Sequence, residues 1–202
     1  MTSWPVSEDS IVTIKGIPWP ITDLLKDSKY ADQFAGGVFT HAFLNTYSYH
    51  RQHAPVDGKV VEAKVIQGQA YLETEVINDT NGKNVLQAVR RTTGKSELSF
   101  SPKTIDAPDT PGYQFLQTRG LVVIENEKVG LVAVLPIGMA QVSSVILTAE
   151  EGVTLRKGEE ISYFQFGGSD CVVVFQAKAN VSITAVAGTA YAMGKQIGIA
   201  QV

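Results

Sequence analysis

Nine short segments rich in β-branched or aromatic residues limit what this chain can fold into. They are Ile11 to Ile14, Val60 to Ile66, Ala70 to Val76, Leu121 to Ile124, Leu131 to Leu135, Val142 to Thr148, Tyr163 to Phe166, Val172 to Phe175 and Val181 to Val186, with Gly, Asn or Asp at or near their ends. Asn81-Gly82 adds a hairpin-type turn. Only Ile21 to Lys26, with Thr22 as its N-cap, and Tyr30 to Phe34 carry the pattern of short helices. The expectation is a mainly β domain, sandwich- or barrel-like, with a few short helices.

With 202 residues, 44% of them hydrophobic, and a net charge of −3, the chain suits one domain with its own core. There is no basic run, which argues against nucleic acid as a partner. The longest apolar stretch, Leu131 to Val142, is interrupted by Pro136 and Gly138 and falls short of the roughly 20 residues that span a bilayer. The N-terminus lacks the basic and apolar regions of a signal peptide, so a cytoplasmic location is expected and the sequons at Asn78 and Asn180 are read as chance matches. The single cysteine, Cys171, lies in an apolar run and reads as a buried small hydrophobe. No Cys/His pair has metal-ligand spacing, so no metal is expected.

Residues 78–118 differ in character, opening on Asn78-Asp79-Thr80-Asn81-Gly82 and punctuated by Pro102, Pro108 and Pro111. A connection of this length is either a flap over a site or a solvated insertion.

Phe166-Gly167-Gly168-Ser169-Asp170 lies between two strand-like segments and is, on spacing alone, a tight turn. It also has a chemical reading. Glycine before serine leaves a carbonyl unshielded and permits strained dihedrals. The Ser169 hydroxyl can then attack the Gly168 carbonyl; ester formation, β-elimination and hydrolysis leave a pyruvoyl group at a new N-terminus. Such a ketone forms a Schiff base with a substrate amine and acts as an electron sink. A second cluster, Tyr47-Ser48-Tyr49-His50-Arg51-Gln52-His53-Ala54-Pro55, sets two of the three histidines three residues apart. Histidine titrates near neutrality and suits proton transfer. His41 reads as structural.

Tyr49-His50-Arg51-Gln52-His53-Ala54-Pro55-Val56-Asp57-Gly58 resembles the Tyr-His-Arg-x-His-x-Pro-x-Asp-Gly signature of phosphatidylserine decarboxylases, and Phe166-Gly167-Gly168-Ser169 resembles their processing site. Val129 to Leu135 with Pro136-Ile137-Gly138, and Lys15-Gly16, Leu24-Leu25 and Phe34-x-Gly36-Gly37, extend the resemblance over nearly the whole chain. It implies a pyruvoyl cofactor generated from Ser169, by autocatalytic cleavage of a zymogen into 1–168 and 169–202. His53 would promote the cut and His50 would serve in decarboxylation, a division held loosely, with Gly167, Tyr49 and Arg51 in supporting places.

Pro55 to Val61 and Glu151 to Ile161 resemble the turns of the barrel-sandwich hybrid fold of biotinyl and lipoyl carriers, so the fold expected is hybrid-like. No Met-Lys-Met is present, which disfavours a carrier. The family's upstream Ser-Pro-Ala-Asp-Gly motif would fall before Met1, and Asp9 stands in a different context. Either the chain is a fragment or the base is arranged differently.

The insertion, Ile137-Gly138-Met139 and Phe43-Leu44-Asn45 before the histidines resemble soluble fungal relatives acting on aromatic amino acids such as tryptophan. A free L-amino acid is therefore placed ahead of phosphatidylserine; a phospholipid head group would add peripheral membrane association. A homodimer is an expectation no motif encodes. The competing reading is a non-catalytic hybrid-fold binding or carrier module.

Overall fold

The computed structural model describes residues 2–14, 17–44, 48–68, 73–78, 80–82, 84–89, 113–138, 144–165 and 169–201. The strands are β1 (Thr2–Pro5), β2 (Ile11–Ile14), β3 (Ile17–Pro20), β4 (Val38–Leu44), β5 (Arg51–His53), β6 (Gly58–Ile66), β7 (Glu73–Asn78) and β8 (Asn84–Val89). They continue with β9 (Arg119–Asn126), β10 (Gly130–Ile137), β11 (Val145–Leu147), β12 (Thr154–Leu155), β13 (Glu160–Phe164), β14 (Ser169–Phe175), β15 (Val181–Ile183) and β16 (Gly198–Ala200). The domain is mainly β, as expected.

A seven-stranded antiparallel sheet, ordered β1-β4-β14-β10-β9-β6-β12, forms the spine, and a three-stranded sheet, β11-β13-β5, accompanies it. The apolar runs of β9 and β10 are continuous because both faces of the spine are covered. Leu121, Val123, Leu131, Ala133 and Leu135 face a core shared with Ile21, Leu24, Leu25 and Phe34. Val122, Ile124 and Val134 face the opposite way, with Ala54, Leu155 and Ile161. Each such side chain, fully buried, stabilises by about 1.5–3 kcal/mol.

Three expectations need correction. The helix α1 is Ile21–Leu24 and its N-cap is Pro20, not Thr22; the extended Pro20 lets the Ile21 N–H bond the Ser10 carbonyl, so the helix begins one residue too early for Thr22 to cap it. The strand expected over Val181 to Val186 ends at Ile183, because Thr184 and Ala185 both turn to the Ile197 carbonyl. The strand expected from Tyr163 begins earlier, at Glu160, where β13 is paired with β5. Several strands carry too little sequence signal to be expected, β4 among them, where His41 and Thr40 interrupt the apolar pattern. The two similar turns, Pro55 to Val61 and Glu151 to Ile161, pair with one another through Thr154–Lys59 and Leu155–Gly58.

Of residues 78–118, the described parts are structured. β8 pairs with β7 around Asn81-Gly82, and a 3-10 turn at Tyr113–Phe115 leads to the buried Gln114, Phe115, Gln117 and Thr118. Residues 90–112 lie outside the described residues.

The small sheet meets the spine closely at Gly120. A Cβ there would lie 2.8 Å from Leu147 Cδ2 and from Pro136 Cγ, and 3.0 Å from Val145 Cγ1. Gly120→Ala is expected to destabilise the fold by about 1–3 kcal/mol through overpacking. A lowered urea midpoint at unchanged slope would show it, and an unchanged midpoint would mean the sheets do not meet there.

Candidate active site

The chain crosses between the two sheets twice at one place. β4 ends at Leu44 and β5 begins at Arg51; β13 ends at Phe164 and β14 begins at Ser169. Both crossings are tied at both ends. On the spine, Ser169 stands in register with Leu44. On the small sheet, Tyr163 stands in register with Arg51, and the Phe164 N–H donates to the His50 carbonyl at 3.1 Å. The histidine cluster and the Gly-Gly-Ser turn thus occupy neighbouring crossings, although far apart in sequence. Tyr47, Phe166, Gly167 and Gly168 lie outside the described residues.

His53, half-buried on β5, is held at both ring nitrogens. Nδ1 is 2.7 Å from the Gly158 carbonyl and Nε2 is 2.7 Å from the Tyr49 hydroxyl. A carbonyl only accepts, so Nδ1 carries the hydrogen and Nε2 presents a lone pair to which Tyr49 donates. Gly158 adopts φ +91°, a conformation that favours glycine. The Tyr49 and His53 rings also stack, with centroids 5.7 Å apart. His50 meets Phe164 edge-on at 6.3 Å.

Arg51 points elsewhere. Its Nη1 donates to both carboxylate oxygens of Glu160 at 2.7 Å, and the guanidinium lies 5.0 Å over the Tyr163 ring. The bond to Glu160, and then its charge, raise the Arg51 pKa above its ordinary value. Between the histidines, Gln52 is buried and accepts the Ser162 hydroxyl at 2.6 Å.

Sequence alone marks His41 as structural and does not single out Asp170 or Gln114. The structure buries all three together. His41 Nε2–H donates to Asp170 Oδ2 at 2.8 Å, and Gln114 Nε2 donates to the same oxygen at 3.2 Å. Their only sequence signal is the register of β4 against β14, which strand alternation alone does not supply. Cys171, next in the chain, has its thiol pushed up to about 12 by burial and then by the charge of Asp170, so it stays protonated at neutral pH.

Residues 1–199 match the phosphatidylserine decarboxylase family model. The chain belongs to the phosphatidylserine decarboxylase family. Its similar relatives include the decarboxylase iboD of Amanita muscaria, 32% identical over 84% of this chain and 46% of the relative. A phosphatidylserine decarboxylase proenzyme of Fusobacterium nucleatum is 27% identical over 81% of this chain and 45% of the relative. The L-tryptophan decarboxylase of Psilocybe cubensis is 28% identical over 83% and 35%. The chain thus spans less than half the length of these relatives. Among the described residues, no helix is long and apolar enough to cross a membrane.

The paired hydrogen bonds fix a measurable state. Long-range proton–nitrogen NMR correlation at high pH is expected to find His53 as the Nδ1–H tautomer. An Nε2–H tautomer would mean that the Gly158 carbonyl does not orient the ring.

Proposed function

We propose that this chain is a pyruvoyl-dependent decarboxylase that cuts itself between Gly168 and Ser169 and acts on a free aromatic L-amino acid. The observation that carries this reading is the double crossing, tied by Leu44–Ser169 at one end and by Phe164–His50 at the other. It brings the ends of the processing turn to the strand that bears both histidines.

The residues present fit a carbonyl group at position 169. Ser169 is the first residue of β14, whose register continues through Phe175 against β4. A base with an available lone pair, His53 Nε2, belongs to the neighbouring crossing. Once formed, the pyruvoyl group supplies a carbonyl that draws off the electron pair left when carbon dioxide departs.

Before the cut, His53 Nε2 takes the Ser169 hydroxyl proton as Tyr49 swings aside. The Gly158 carbonyl, holding Nδ1–H, stabilises the imidazolium that results. During turnover, His50 delivers a proton to the carbon that loses carbon dioxide. Arg51, neutralised by Glu160, braces β5 against β13 and leaves substrate binding to other groups. Phe43 and Tyr49 are 44% and 49% exposed and flank the crossing, which suits stacking on an aromatic substrate. The name of the Psilocybe relative supports the same substrate class.

Denaturing electrophoresis and intact mass test the cut. Wild type is expected as residues 1–168 and 169–202, with the smaller piece lighter than its encoded sequence because an amine has become a ketone. Ser169→Ala is expected to fold, stay whole and be inactive. A wild-type chain that stays whole supports a non-catalytic module, and a serine N-terminus means ordinary proteolysis.

The histidines separate the two stages. His53→Ala is expected to remain uncut. His50→Ala is expected to be cut yet lose about 10²–10⁴-fold in carbon dioxide release, the usual worth of general acid–base catalysis. Release from tryptophan and from phosphatidylserine is compared, with faster release from phosphatidylserine reversing the substrate assignment. Full activity in cut His50→Ala defeats its role.

A further inference from the structure

Three buried polar side chains from three elements converge on one carboxylate oxygen, immediately after the proposed cut. Asp170 is fully buried, His41 on β4 is 4% exposed, and Gln114 from the 3-10 turn is 1% exposed. Burying a carboxylate costs several kcal/mol unless it is paired and hydrogen-bonded. None of the three has a part in the proton transfers of His50 and His53, so that cost calls for another function.

The position of the cluster suggests one. Asp170 pairs with Phe43 on one side and Ile137 on the other, so it sits in the middle of the spine. Cutting at Gly168–Ser169 removes the covalent restraint on the first residue of β14, and free strand ends fray. The nearest side-chain anchor is then Asp170, one residue along. Its partners His41 and Gln114 both stay in the larger fragment.

Resting on the self-processing reading, we propose that the His41–Asp170–Gln114 cluster is a clamp that holds the cofactor-bearing N-terminus in place after the cut. These are positioning residues, holding residue 169 through the backbone of Asp170. The clamp matters little while the chain is continuous, because Gly168 and Phe164 restrain the same residue from the other side. It becomes decisive once that restraint is gone.

This dependence on the cut separates a clamp from an ordinary buried pair. Asp170→Asn is compared in two backgrounds, the self-cut chain and the uncut Ser169→Ala chain. Hydrogen exchange at the amides of residues 170–172 is expected to quicken at least tenfold in the cut protein and less than threefold in the uncut one. In the cut protein kcat should fall at least tenfold. His41→Gln, which keeps an N–H for the carboxylate, should restore most of both in place of the losses seen with His41→Ala. Where Asp170→Asn does not fold, the His41→Gln and His41→Ala pair is read in the same two backgrounds.

Equal quickening in both backgrounds overturns the clamp while leaving the pyruvoyl reading intact. So does a folded Asp170→Asn chain that stays whole, since that puts the role of the pair before the cut. A wild-type chain that is never cut overturns both.

Discussion

Seven register pairs join β4 to β14, from Leu44–Ser169 down to Val38–Phe175. This pairing is long-range in sequence and central in space, because β14 also pairs with β10 along six positions. It carries the end of one crossing to the start of the other, so the histidine cluster and the processing turn are neighbours only while it holds. A slip by one residue would turn Val172 and Val174 out of the core and expose Asp170. The apolar face therefore fixes the register, and the register fixes the site.

Arg119 plays a comparable part on the other side of the spine. It is buried, and burial lowers its pKa to about 10 against the raising charge of Asp23. Its guanidinium bonds the carbonyls of Leu24 and Asp23 at 2.7 Å and of Gln117 at 2.8 Å, with a longer bond to Phe115. One side chain thus ties α1 to the segment that holds Gln114. Lysine would carry the charge without the planar fork needed to serve carbonyls in several directions. Trp19 packs on Phe115 with ring centroids 4.8 Å apart, holding the same segment from above.

Much of this is legible in the sequence, for identifiable reasons. The β-branched runs of β9, β10 and β14 announce strands because both their faces are buried. The Tyr49 to Gly58 and Gly167 to Ser169 motifs announce the family, since their residues are contiguous. What stays hidden depends on pairing across long separations. His41 and Asp170 lie 129 residues apart, and only the register of two strands makes them partners. β5, three residues long, owes its form to β13 and not to its own propensity. Thr22 looks like a cap because the local rule ignores Ser10, whose carbonyl takes the N–H that starts the helix.

The β4–β14 pairing also sets the conditions under which such a molecule can be assembled. In the continuous chain it closes one long loop, and loop-closure entropy grows only slowly with length. Once the bond before Ser169 is broken, the same pairing joins separate molecules, and the high local concentration that the connecting chain provided is lost. Refolding then becomes a second-order process that slows with dilution. The smaller piece would also carry much of its β-branched surface into solution unprotected. A cut molecule of this design folds in one direction only: the whole chain builds the sheet first, and the pieces inherit a fold they would struggle to rebuild.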